Sequence, residues 1–139
     1  MRFYIEDINF NLLSKRDVAS WLKTVAGAEG KQVGAVAVVF CSDDYLLQMN
    51  RRYLQHDYYT DILTFDYTEG RTLGGDLFIS IDTVRANSAR YKQLFEKELL
   101  RVILHGILHL CGYADATPAQ QKAMRALEDK YLAMRLKPN

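Results

Sequence analysis

Much that would place this chain outside ordinary soluble protein chemistry is missing from it. Two cysteines in 139 residues, Cys41 and Cys111, are too few for a disulfide-stapled fold and read as reduced thiols. No apolar run approaches the ~20 residues needed to span a bilayer, so no membrane association is expected. The opening MRFYIEDINF breaks its apolar residues with acids, so no secretory leader is expected and the expected compartment is the cytoplasm. With two prolines, no low-complexity tract and no internal repeat, linkers and solenoid architectures are excluded. Net charge is only +1, so an anionic partner must be met by a local patch rather than a global field. What remains is 49% apolar and 25% charged, the balance of one globular domain, expected over residues 1–139.

Histidine is also scarce, and its placement is the most informative feature. Of three histidines, two stand four apart in the apolar, helix-patterned run His105-Gly-Ile-Leu-His109-Leu-Cys-Gly112-Tyr-Ala-Asp115. On a helix turning ~100° per residue, positions i and i+4 share a face, so both imidazoles can reach one cation. Gly112 is placed to end the helix in a left-handed turn, from which Asp115 can approach the same ion. Two histidines and one carboxylate with a fourth position open is the pattern of a catalytic zinc site rather than a structural one. The spacing His-x-x-x-His-x-x-Gly-x-x-Asp reproduces that of metzincin metalloproteases, yet Gly106 stands where they carry their Glu general base. A metal site is expected; peptide hydrolysis by that route is not.

The surrounding pattern predicts an α+β fold, with a mixed sheet of about four strands, about five helices and a metzincin-like metal-binding helix. Strands are expected at Met1–Glu6, Gly34–Cys41, Thr60–Tyr67 and Leu73–Ile81, the last two joined by the turn Thr-Glu-Gly-Arg-Thr. Gly74-Gly75 suggests a bulge or a close backbone approach. Helices are expected after caps at Ser14, Ser42, Asp82 and Thr117, with another from Phe95 to Cys111. Met124, Leu127, Tyr131 and Met134 should form the buried stripe of the last helix.

The metal motif resembles the signature of the YbeY family of rRNA maturation factors, His-Gly-x-Leu-His-Leu-x-Gly-Tyr-Asp-His. His105, Gly106, Leu108, His109, Leu110, Gly112 and Tyr113 match it, while Asp115 replaces the third His and Ala114 the Asp before it. Met49-Asn50-Arg-Arg-Tyr53, Thr60-Asp61-Ile62-Leu63-Thr64-Phe65, Gly75-Asp76-Leu77-Phe78-Ile79-Ser80 and Met124-x-x-x-Glu128 are similar to further family segments. The resemblance spans residues 34 to 132. It implies a metal-dependent, single-strand-specific endoribonuclease in rRNA maturation and ribosome quality control, with rRNA and the small ribosomal subunit as partners. The competing reading is a ribosome-associated assembly factor whose metal is mainly structural. The family's usual Arg after the aromatic at Tyr53 is here Leu54, a place that Arg51, Arg52 or His56 could fill.

The chemistry expected is one Zn²⁺ on His105, His109 and Asp115, activating a water without a protein base. A carboxylate ligand leaves the site one unit less positive than three imidazoles would, so the water should be a weaker acid and harder ions better tolerated. Arg51, Arg52 and Arg71 are candidate phosphate contacts, or ordinary solvated surface. His56 and Arg52 are candidates for a catalytic contribution, against the default of a solvated loop and helix end. Tyr58, Tyr59 and Tyr67 could stack bases, with sheet packing the preferred reading. Asp61 and Asp76 are expected to organise loops by hydrogen bonding rather than bind metal. Cys111 is expected to be buried and inert.

Overall fold

The computed structural model describes residues 1–12, 14–54 and 60–136. Its elements run β1 (Arg2–Ile5), α1 (Lys15–Ala28), β2 (Gln32–Cys41), α2 (Asp43–Leu54), β3 (Ile62–Asp66), β4 (Thr72–Ser80), α3 (Ile81–Arg90), α4 (Phe95–Leu110) and α5 (Pro118–Leu136). The strands form one mixed sheet in the order β1-β2-β4-β3, in which β1, β2 and β4 are parallel and β3 is antiparallel at the edge. This is the α+β architecture that the sequence pattern implied. His56, with Tyr58 and Tyr59, lies outside the described residues. No helix among the described residues is long and apolar enough to cross a membrane.

Alternation along the strands sorts side chains between two apolar layers. Val36, Val38 and Phe40 of β2 join Leu77 and Ile79 of β4 in the larger core, which α1, α4 and α5 close with Trp21, Leu22, Ile103, Leu104, Ile107 and Tyr131. The opposite face carries Leu63 and Phe65 of β3 and Phe78 of β4 beneath Leu46 of α2. The same alternation turns Ile62, Thr64 and Asp66 to the α4 side, where they line a cleft with His105 and His109.

The caps behave unevenly. Ser42 caps α2, its hydroxyl accepting from the Tyr45 N–H at 3.1 Å. Thr117 and Gln120 form a reciprocal capping box at the start of α5, with bonds of 3.1 Å each way. Two expected caps differ. Ser14 sits in a left-handed conformation, φ 59°, and makes no side-chain cap bond, because its backbone turns the chain into α1 instead. Ser80 rather than Asp82 caps α3, accepting from the Thr83 N–H at 3.1 Å, since the helix begins two residues earlier than expected. Asp82 is diverted to the Asp43 N–H at 3.0 Å, tying the starts of α2 and α3. On α5, Met134 is 39% exposed, and the buried stripe is completed by Glu128 and Leu132.

The paired glycines reflect close approach rather than a bulge on their own strand. A Cβ at Gly75 would lie 2.4 Å from the Phe65 carbonyl oxygen, while the extra residue of the ladder falls in β2 between Val33 and Val36. Gly75→Ala is therefore expected to destabilise the protein by about 1–3 kcal/mol through overpacking. Gly27, in α1 with open space around its Cβ position, should instead gain about 0.5–1 kcal/mol as Ala. Urea unfolding of both variants tests this pair, and a Gly75→Ala protein as stable as wild type would contradict it.

Candidate metal centre

The site is built where α4 passes the edge of the sheet. Leu99, Leu100, Val102, Ile103, Leu104, Ile107, Leu108 and Leu110 bury most of this helix, leaving His105 and His109 half-buried on the one face that opens to solvent. Gly106 permits that closeness: a Cβ there would lie 2.9 Å from the terminal methyls of both Ile62 and Leu77. The same contact explains the missing Glu base, because a long side chain at 106 would have to enter the sheet rather than the cleft.

After Leu110 the chain turns in a Schellman arrangement. Gly112, at φ +107°, donates to the His109 carbonyl at 3.0 Å, and Tyr113 donates to Leu108 at 3.1 Å. That turn swings Asp115 back over the helix. Its Oδ2 lies 3.1 Å from His105 Nε2 and 3.5 Å from His109 Nε2, and the two Nε2 atoms are 3.0 Å apart. Ligands of tetrahedral zinc at 2.0–2.2 Å from the ion sit ~3.3 Å from one another, so these separations bracket the required edge. The donor set, two imidazole nitrogens and one carboxylate oxygen, is one that holds a divalent ion.

Both imidazoles are held with Nε2 inward. His109 Nδ1 lies 2.8 Å from the Tyr113 carbonyl oxygen, which only accepts, so Nδ1 donates there and Nε2 is turned toward the cleft. His105 Nδ1 lies 2.7 Å from Oε2 of Glu128, a residue 4% exposed on α5. Glu128 is held in turn by Arg101, whose Nη1 donates to Oε1 at 3.0 Å while Nη2 donates to Asp129 at 2.7 Å. Burial pulls His105 toward its neutral form, but the Glu128 hydrogen bond and the charges of Glu128, Asp115 and Asp61 outweigh it and raise its pKa. Asp61 lines the cleft beside His105, and burial pushes its carboxyl pKa up, with His105 countering part of the rise. Cys111, expected to be buried, is half-buried, and burial pushes its thiol up to about 11.

Two cavities meet at the triad. One, of about 450 Å³, runs along β3 past Thr60, Asp61, Thr64 and Asp66. The other, of about 320 Å³, runs between α4 and α5 past Glu98, Arg101, Gln121 and Arg125. Arg51, Arg52 and Arg71 line neither. Arg51 and Arg52 lie exposed at the end of α2, where Arg52 stacks 5.7 Å from the Tyr53 ring centre. Arg71 is exposed in the β3–β4 connection, with its carbonyl accepting from Gln32. Tyr67 is 63% exposed rather than packed in the sheet, because β3 ends at Asp66, one residue before it. Sequence reasoning assigned no role to Glu128, Arg101 or Arg125. Glu128 was visible only as part of a motif, and the two arginines carried no signal at all.

Fold and site together describe an α+β protein of the class that carries a two-histidine, one-carboxylate ligand set on and beside a single helix. The family model described as Endoribonuclease YbeY matches residues 4–135. A Phocaeicola vulgatus protein named Endoribonuclease YbeY is 52% identical over 132 residues, covering 95% of this chain and 96% of the relative. Its namesake from Bacteroides fragilis is 51% identical over 133 residues, covering 96% of each. The solution structure of TM1509 from Thermotoga maritima superposes with a TM-score of 0.68 at 28% identity, covering 97% of this chain and 89% of that one. The chain belongs to the endoribonuclease YbeY family.

If Glu128 orients His105 for a cation, Glu128→Ala should weaken divalent-metal binding ~10–100-fold, the usual effect of losing a carboxylate behind a ligating imidazole. Glu128→Gln, which keeps an acceptor oxygen, should lose less. Competition with a chromophoric chelator measures both, and unchanged affinity in Glu128→Ala would remove the residue from the site.

Proposed function

We propose that this chain, acting as one catalytic unit over residues 1–139, is a zinc-dependent endoribonuclease that cuts single-stranded RNA. Its expected setting is rRNA maturation and ribosome quality control in the cytoplasm, with the small ribosomal subunit as partner. The observation that carries the reading is the convergence of His105 Nε2, His109 Nε2 and Asp115 Oδ2 at the junction of two open cavities, in a chain of this family. When bound there, zinc would supply Lewis acidity toward a phosphodiester and bring the pKa of a water down toward ~7.

The protein's own groups prepare that chemistry. The Tyr113 carbonyl and Glu128 hold the two imidazoles through Nδ1 and turn both Nε2 atoms toward the cation position. Gly106 keeps α4 against the sheet, so the ligands cannot recede from the cleft. Asp115 offsets one unit of cation charge, and Arg101 offsets the charge of Glu128 beside it. No Glu follows His105, so a peptide substrate would find no carboxylate base at that position. Arg101 and Arg125 stand on the wall of the same cavity, where a phosphodiester is better received than a peptide.

Elemental analysis and cleavage of a single-stranded RNA, for wild type, His109→Ala and Asp115→Ala, test the reading. Wild type should carry about one zinc per chain and cut RNA; both variants should lose metal and cleavage while staying folded. Full metal occupancy and activity in Asp115→Ala would remove Asp115 from the ligand set. A metal-free wild type that unfolds, with no cleavage in either state, would favour a structural metal in an assembly factor. Asp115→His makes the site one unit more positive, so the acid limb of its pH–rate profile should move to lower pH. A limb that stays in place would contradict the charge argument.

A further inference from the structure

Both cavities at the metal centre carry Asp61 and Asp115, joined by Asp66 in one and by Glu98 and Glu128 in the other. Among the described residues only the α4–α5 side adds arginines, Arg101 and Arg125. Along β3 the walls bring Asp61 and Asp66 as well as Asp115, with no Lys or Arg among the lining residues. Along α4 and α5 the cavity shares Glu98, Arg101 and Arg125 with a further hollow of about 390 Å³, whose other walls are Tyr91, Gln93 and Lys97. Lys97, Arg101 and His105 are spaced four residues apart on α4, so they follow one helix face at ~6 Å per step. Arg101 is engaged by Glu128 and Asp129, whereas Lys97 and Arg125 make no hydrogen bond or ion pair with a described residue.

An aromatic ring stands at the far end of this hollow. Tyr91 is 58% exposed, with the Arg90 guanidinium 5.6 Å from its ring centre. It is presented by the turn between α3 and α4, where Lys92 adopts a left-handed conformation, φ 53°, that a lysine takes only at a cost. That turn is closed by Lys92 donating to Ala89 and Gln93 donating to Ser88. An exposed ring beside unpaired cations, leading to a cleavage site, is the combination by which proteins hold single-stranded nucleic acid. We propose that Tyr91, Lys97 and Arg125 form an RNA subsite beyond the metal centre: Tyr91 stacks an unpaired base, and Lys97 and Arg125 hold backbone phosphates. The subsite rests on the endoribonuclease reading, and it makes the α4–α5 side the path of the strand.

The test is steady-state cleavage by the zinc-loaded enzyme of a long single-stranded RNA and of a dinucleotide too short to reach Tyr91. With the long RNA, Tyr91→Ala should raise KM about five- to a hundredfold, the usual range for removing one base stack, with little change in kcat. Lys97→Ala should also raise KM and flatten its log–log salt dependence by ~0.7, for the one phosphate no longer held. Dinucleotide cleavage and zinc content should match wild type in both. Wild-type KM and salt slope in these variants, while wild type cleaves RNA, would overturn the subsite and leave the endoribonuclease reading standing. Equal losses on the long and short substrates would also overturn it. Wild type that cleaves neither substrate defeats both readings.

Discussion

The approach of α4 to the sheet at Gly106 is the constraint on which the rest of the site depends. With hydrogen alone at that position, the helix settles against Ile62 and Leu77, and the larger core closes around its buried face. His105 and His109 then have only one direction left, the cleft beside β3. The residue that would serve as a base in a metalloprotease is thereby given up for close packing.

Around that contact the ligands are held from three separate elements. The turn after α4 supplies both Asp115 and the Tyr113 carbonyl that orients His109. Helix α5 supplies Glu128, which orients His105 and is itself held by Arg101 from α4. Glu29, at the end of α1, accepts from the hydroxyls of Tyr113 and Tyr131, which couples the turn to both α1 and α5. Charge is balanced locally: Arg101 faces Glu128 and Asp129, while Asp115 faces the position of the cation. A nearly neutral chain can therefore combine an acidic wall along β3 with a wall of mixed charge between α4 and α5.

A good part of this was legible in the sequence because it depends on local rules. The His-x-x-x-His spacing, the terminating Gly112 and the capping box at Thr117 and Gln120 each act within one or two helical turns. Strand alternation and apolar helix stripes pointed to the α+β class and nearly every element. Misplaced details have local causes too. Ser80 and Asp82 were both competent caps, and only the true first turn of α3 chose between them. Met134 continues a helical stripe that the core no longer reaches, so it faces solvent.

By itself the sequence determined the candidate ligand triad, the absence of a Glu after His105 and the order of elements, since each follows from short-range spacing along a helix or strand. Only the tertiary structure decided what surrounds the triad. Glu128 meets His105 across 23 positions, and Arg101 reaches Glu128 across 27, separations at which no periodicity relates two residues. The positions of Arg101, Arg125 and Lys97 beside the site were not legible in the sequence for the same reason. Which charges line a cleft depends on how helices pack across one another, and a side chain's own neighbours in sequence carry no record of that.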